Sequence, residues 1–327
     1  MKKFFVLIAV LTAMLLTFGM AHAVIIEGNG TSTSNMLGNG LKDVVRILGV
    51  ADYAPGNDVV VPFICGADAT NNLDTLWAIA ETQNVGPFTS VPFNVFNTRS
   101  VFVYDSEIRL TGRDVESDSC KALVAKMSPA QRALVERTIG GVKYYAGYIT
   151  YEQPTANRNN LIGWQYLVDL TKGFAAGFNS YTVQNNLAGN LCESTVTGVA
   201  VCSTAAWMYP RYYLMNDSTD SFNWWVILSG TNAAPGTSRV LTGIICDETE
   251  RCISLNIPIP DELNIINVAD HIPAALFTTF PKAGFGLFAV APYVTNNTIL
   301  GWSYQRAASP SGAALSWSVI HPIHKEY

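Results

Sequence analysis

Gly163-Trp164-Gln165-Tyr166 returns as Gly301-Trp302-Ser303-Tyr304, 138 residues later. Working outward, Leu161-Ile162 and Ile299-Leu300 share that spacing, as do Pro154 and Pro292. Upstream, Pro62 answers to Pro210, and Trp77-Ala78-Ile79 to Trp225-Val226-Ile227, both 148 apart. Downstream, Phe178 answers to Trp317 at 139. Landmarks in one order, with a spacing that drifts only by small insertions, predict a duplicated unit of about 120–150 residues, an ordinary domain size.

The runs between the landmarks are short, rich in β-branched and aromatic residues, and bounded by turn residues. That is the pattern of an all-β sandwich or barrel. In the first copy the expected strands include Asp58 to Ile64, Leu76 to Ala80, Ser100 to Tyr104 and Lys143 to Tyr151. In the second they are Met208 to Met215, Phe222 to Leu228, Val240 to Ile245, Gly284 to Val294 and Ala314 to Ile320. One helix is expected, where Ser128-Pro129-Ala130-Gln131 supplies an N-cap, a first-turn proline and a capping-box glutamine. Pro273 to Phe280 stands in its place in the second copy, which accounts for the shortened spacing. The fold expected is all-β: two tandem jelly-roll-like sandwiches, residues 41–185 and 205–327, joined by a link at 186–204.

Leu76-Trp77-Ala78-Ile79 and Trp224-Trp225-Val226-Ile227 are apolar at every position. A strand of a free-standing sandwich alternates, apolar inside and polar outside. Both faces of this strand therefore need cover, and the simplest cover is the other copy packed alongside.

The chain opens with Lys2-Lys3, an apolar run from Phe4 to Leu16, and Ala21-His22-Ala23. A basic start, an apolar stretch and a small-x-small site form an export signal over residues 1–23, of the short bacterial kind. Residues 24–40 are rich in Gly, Asn, Ser and Thr and read as a flexible leader. No later apolar run reaches the ~18 residues that a membrane-spanning helix needs. The expected destination is periplasm, cell surface or medium.

Six cysteines, all after the signal, suggest three disulfides in such a compartment. Cys246 and Cys252 flank the polar tip Asp247-Glu248-Thr249-Glu250-Arg251, and Cys192 and Cys202 flank a short segment of the link. Cys65 is left to Cys120. No Cys-x-x-Cys occurs, and the histidines after the signal are His271, His321 and His324, which does not match zinc-ligand spacing. Net charge is −5 with 14% charged residues and no Lys/Arg cluster, which argues against nucleic acid and anionic membranes as partners.

Several residues are candidates for chemistry. Trp and Tyr two apart share one strand face, so the repeated phrase is either a sugar platform or the plug of a core. Duplication preserves core pattern more readily than ligand specificity, which favours the plug. Trp224 and Trp225 point to opposite faces, so at most one serves the primary core, and the other stacks on a sugar or lies at the seam between copies. Tyr212 and Tyr213 on the preceding strand extend either surface.

Asp68 and Asp74 in one loop, and Asp217 and Asp220 in its counterpart, offer the oxygen donors that Ca²⁺ prefers, without the EF-hand pattern. The other reading is turn chemistry. Asp105/Glu107, Asp114/Glu116 and Glu248/Glu250 have a spacing that fits glycoside hydrolysis but lie beside turns. No serine-hydrolase, metalloprotease or phosphate-loop signature is present.

The function expected first is a secreted, non-enzymatic structural or adhesive protein whose partners are other surface proteins or polysaccharide. Calcium-assisted carbohydrate binding is second. A hydrolase with its site between the copies is third, and it requires an acid of raised pKa there.

Overall fold

Alternation makes the strands. In β1 (Asp58–Gly66), Val59, Val61, Phe63 and Cys65 enter one core while Val60 and Ile64 enter another. The computed structural model describes residues 55–82, 88–153, 160–169, 174–184, 192–194, 200–201, 207–213, 222–229, 240–247, 251–271, 283–289, 299–307, 317–322 and 324–326. All lie in one unit spanning Gly49–Tyr327. Residues 1–40, which hold the expected signal and leader, lie outside the described residues.

The chain is mostly β. After β1 come β2 (Leu73–Glu81), β3 (Thr89–Asn97), β4 (Phe102–Leu110) and β5 (Val115–Ser119). Helices α1 (Cys120–Lys126) and α2 (Pro129–Val135) follow. The first half continues with β6 (Glu136–Ile139), β7 (Val142–Glu152), β8 (Leu161–Asp169), β9 (Phe174–Asn179) and β10 (Tyr181–Gln184). Short β11 (Cys192–Ser194) and β12 (Ala200–Val201) come next. The second half has β13 (Trp207–Tyr209), β14 (Arg211–Tyr213), β15 (Phe222–Ser229), β16 (Val240–Asp247), β17 (Cys252–Pro258) and β18 (Leu263–Asn267). It ends with β19 (Ala283–Ala289), β20 (Ile299–Ala307), β21 (Trp317–Pro322) and β22 (His324–Glu326).

Four antiparallel sheets result. The first runs β12-β11-β10-β1-β7-β3-β4, with β6 on β7, and the second β5-β2-β8-β9. The third runs β17-β16-β19-β13-β22, with β14 on β19, and the fourth β18-β15-β20-β21. Placed side by side, β10-β1-β7-β3-β4 and β22-β13-β19-β16-β17 have one strand order. So do β5-β2-β8-β9 and β18-β15-β20-β21.

Differences from the sequence reading have local causes. Pro210 has no N–H to give a ladder, so the strand expected over Met208 to Met215 breaks into β13 and β14. The strand expected from Ser100 begins at Phe102, because Ser100 sits at φ 55° in a turn. Asn97 Oδ1 holds that turn by accepting from the Arg99 and Val101 amides. The capping box at Ser128 is formed as expected. α1 was not legible, since seven residues carry too little propensity to stand alone. It is fixed by the Ser119 cap and by Cys120, which is bonded to Cys65 on β1. Cys246–Cys252 closes the β16–β17 hairpin. The Cys192–Cys202 pairing lies outside the described side chains. β11 and β12, within the expected link, extend the edge of the first sheet.

Buried residues form three clusters. The first-half core includes Val61, Phe63, Trp77, Ile79, Phe93, Leu123 and Ile149. The second-half core includes Trp225, Ile227, Leu241, Ile245, Ile257 and Phe288. The third draws on both halves: Val60, Ile64, Tyr148 and Tyr181 pack with Trp224, Val226, Leu228, Trp302 and Tyr304. At that seam Tyr144 meets Trp224 edge-on at 5.3 Å, and Tyr181 meets Trp302 at 4.8 Å. The Tyr181 hydroxyl donates to the Gly301 carbonyl at 3.0 Å.

Candidate functional site

The register defines matching rows on the second and fourth sheets. On the fourth, Leu228 stands between Leu263 and Leu300, Val226 between Ile265 and Trp302, and Trp224 between Asn267 and Tyr304. On the second, Ala80 stands between Val115 and Ile162, Ala78 between Ser117 and Trp164, and Leu76 between Ser119 and Tyr166. Each position of one set is the sequence counterpart of a position in the other.

Their environments are opposite. Trp302 is 0% exposed, Tyr304 1% and Trp224 4%, all against the first half. Leu76 is 38% exposed and Val115 49%, and Ile162, Trp164 and Tyr166 are half-buried. Gly177 lets the Tyr166 ring lie down on β9, because a Cβ there would come within 2.4 Å of it. Glycine of the repeated phrase faces inward: a Cβ on Gly163 would meet Val59 at 2.6 Å. Trp164 and Tyr166 therefore lie on the face of β8 opposite to Gly163, half-buried, whereas Trp302 and Tyr304 fill a buried cluster. The apolar face carrying Leu76, Val115, Trp164 and Tyr166 is the candidate site.

A second feature is a cleft of about 290 Å³ at the seam. Thr98 and Arg137 line it from the first half, and Asp261, Asn267, Asp270 and His271 from the second. Arg137 Nε donates to Thr98 Oγ1 at 2.7 Å, and Thr98 Oγ1 donates to Asp261 at 2.9 Å. Burial lowers the Arg137 and His271 pKa values, and Asp270 opposes the shift at His271. The acids that burial pushes up lie elsewhere. Asp58, opposite Glu152 across β1 and β7, rises to about 7 through burial and the Glu152 charge, against the Asn57 hydrogen bond. Asp74 also rises through burial. The polar groups of the cleft are largely engaged with one another, an arrangement that joins halves.

The sequence candidates fall as follows. Trp224 lies at the seam, Trp225 lies in the second-half core with Nε1 donating to the Arg211 carbonyl, and Tyr212 is buried with its hydroxyl donating to the Cys246 carbonyl. A ring with no exposed face offers nothing for a sugar to stack on, so these three do not form a platform. The Tyr213 side chain lies outside the described residues.

Asp68 Oδ1 accepts from the Thr70 amide, the Thr70 hydroxyl and the Asn71 amide, and these bonds hold its pKa down. That is an Asx turn. Asp74 accepts from the Lys121 amide and lies by the Cys65–Cys120 bridge, whose sulfurs bond each other. Asp68 and Asp74 are thus each engaged with protein donors. Asp217 and Asp220 lie outside the described residues.

Asp105 and Glu107 are exposed on β4, and Asp114 accepts from Thr111 in a turn. Glu248 and Glu250 lie outside the described residues, as do the side chains of His321 and His324. The open face was missed because Leu76 to Ile79 implies cover on both sides. The half-alternation of β5, with Val115 among Glu116, Ser117 and Asp118, was the available signal. Compared with known protein families, curated proteins and solved structures, the chain finds no match.

Proposed function

We propose that the chain is a tandem pair of jelly-roll-like β-sandwiches packed side by side, working outside the cytoplasm as a non-enzymatic structural or adhesive protein. The shared strand order of the halves supports the duplication. The pairings β4-β3-β7-β1 and β5-β2-β8-β9 match an eight-stranded jelly roll entered at a different strand. The disulfides Cys65–Cys120 and Cys246–Cys252 fit an oxidising compartment. No helix among the described residues is long and apolar enough to cross a membrane.

One observation carries the functional reading. The face that the second half buries against the first is left open on the first half, with Leu76 and Val115 exposed beside Trp164 and Tyr166. Exposed large apolar side chains grouped on one sheet face mark an attachment surface. The test immobilises the exported chain and probes it with envelope fractions and polysaccharides. Saturable binding without turnover is expected, lost in Leu76→Asp and kept in His271→Ala. Turnover abolished by His271→Ala or Asp270→Asn would replace this reading with a hydrolase of the cleft.

Carbohydrate binding is the second reading, favoured by the half-buried Trp164 and Tyr166 on one open strand face. Calorimetry with a polysaccharide panel separates it: heat that disappears in Trp164→Ala supports it, and silence across the panel removes it.

A further inference from the structure

We infer that four strand ends of the first half hold a calcium ion: the start of β1, the end of β2, the end of β7 and the start of β8. The site is independent of the attachment face proposed above.

Backbone bonds bring these ends together. The Asn160 amide donates to the Gly56 carbonyl at 3.0 Å, the Gln153 amide to the Asn57 carbonyl at 3.1 Å, and the Thr82 amide to the Asn160 carbonyl at 2.9 Å. Five polar side chains meet there, and all are buried: Asn57, Asp58, Glu81, Gln153 and Asn160. Glu81 Oε2 accepts from Gln153 Nε2 at 3.1 Å and from Asn160 Nδ2 at 2.7 Å. Asp58 Oδ1 accepts from Asn57 Nδ2 at 2.7 Å.

Two oxygens of this cluster call for a ligand. Asn57 is 5% exposed and Asn160 0%, yet Asn57 Oδ1 and Asn160 Oδ1 accept no hydrogen bond from the described residues. A buried polar atom in that condition destabilises the fold unless something binds it. Each oxygen shares its amide carbon with a nitrogen that bonds a carboxylate, so it lies within the cluster. Turning either amide over does not help, because its oxygen would then face a carboxylate oxygen, acceptor against acceptor. The cluster is short of positive charge. Asp58 faces Glu152, a like charge, across β1 and β7, and no basic side chain of the described residues acts on it. Buried charges are paired or bind metals.

The donor set selects the ion. Carboxylate and amide oxygens are hard donors, which calcium accepts in loose geometry, whereas magnesium demands a near-ideal octahedron. The Glu81 carboxylate, Asn57 Oδ1 and Asn160 Oδ1 supply the ligands, and Asp58 adds negative charge beside them. A water would satisfy the two oxygens but brings no charge.

The second half shows that strand ends form without this set. The sequence counterparts of Asn57, Asp58 and Glu81, 148 residues on, are Ala205, Ala206 and Ser229. Those of Gln153 and Asn160, 138 residues on, are Ala291 and Thr298. The ladders agree on the match, since Glu81 pairs with Leu161 and Ser229 with Ile299. No carboxylate or amide recurs at the five positions, although β15 and β20 form as β2 and β8 do. Strand pairing alone therefore does not account for burying the polar set in the first half.

The experiment is calorimetric titration of the calcium-stripped exported chain, with melting curves in chelator, calcium, magnesium and sodium. One calcium per chain is expected, with a dissociation constant of about 10⁻⁴–10⁻³ M, as in extracellular modules, and a melting temperature higher in calcium than in equal magnesium. Glu81→Gln keeps the size of the side chain and should weaken binding at least about tenfold. Asp58→Asn should weaken it less and should melt higher than the unaltered chain in chelator, because a buried charge is gone. Asn160→Asp should melt lower in chelator and gain more from calcium, and it carries the test if Glu81→Gln does not fold. Asp68→Asn, in the exposed Asx turn, should leave the response unchanged.

No heat and no rise in melting temperature at about 10 mM calcium, above the range of extracellular modules, overturns the inference. So does a response that magnesium or sodium reproduces. A calcium response indifferent to Glu81→Gln and Asn160→Asp belongs to another site and overturns it equally.

Discussion

Two strands that share the phrase Gly-Trp-x-Tyr live in different media. β8 carries Gly163-Trp164-Gln165-Tyr166 and presents Trp164 and Tyr166 half-open to water. β20 carries Gly301-Trp302-Ser303-Tyr304 and presents Trp302 and Tyr304 to the first half, where both are buried. Nothing in the four residues separates these fates. Their neighbours do: Trp224, Val226 and Leu228 beside β20 are larger than Leu76, Ala78 and Ala80 beside β8.

The comparison breaks most sharply under truncation. Trp302→Ala should cost about 3–5 kcal/mol of stability, because it empties a fully buried site, whereas Trp164→Ala should cost about 1 kcal/mol or less. Denaturant titration of both variants checks this. Equal costs would mean that the face carrying Trp164 is covered in solution.

The disulfides sharpen the contrast between halves. Cys65–Cys120 closes 55 residues and Cys246–Cys252 closes 6. By loop entropy their removal as Cys→Ala pairs should cost about 4 and about 2 kcal/mol respectively. Thermal unfolding of the two double variants gives the ordering.

A pH effect is expected at Asp58 in the first half. Asp58 has a folded pKa of about 7, above its ordinary 3.8, so its protonated form is the one the fold favours. The associated stability is fully present below about pH 4 and is lost as pH rises through about 7. Asp58→Asn keeps the acceptor for Asn57 and removes the charge. It should raise stability at pH 8 by about 1–3 kcal/mol relative to its effect at pH 4, with solvent screening allowed for. Melting curves at the two pH values read this directly, and parallel shifts at both would contradict it.

The smallest effect is at the seam margin. Arg99→Ala removes an ion pair with an exposed guanidinium and should cost less than about 1 kcal/mol, diminishing with salt.

How much was legible follows from which forces act locally. The strands β1, β2, β7, β15 and β16 were readable because period-two alternation and turn residues are local. The Ser128 capping box was readable because its partners lie three residues apart. α1 was not, since a cap and a disulfide across 55 residues hold it. Whether Trp224, Trp225 and Tyr212 are buried or open was not legible for a related reason. Alternation gives two faces for a strand but does not say what covers each.

The sequence by itself determined the all-β class and the rule that Trp and Tyr of the Gly-Trp-x-Tyr phrase share a face. These follow from backbone periodicity. Only the tertiary structure decided which of the two equivalent faces is buried and which is open. The packing of the fourth sheet on the first buries Trp302 and Tyr304, while Trp164 and Tyr166 stay half-buried. That asymmetry belongs to the packing of halves, and no local stretch of residues contains it.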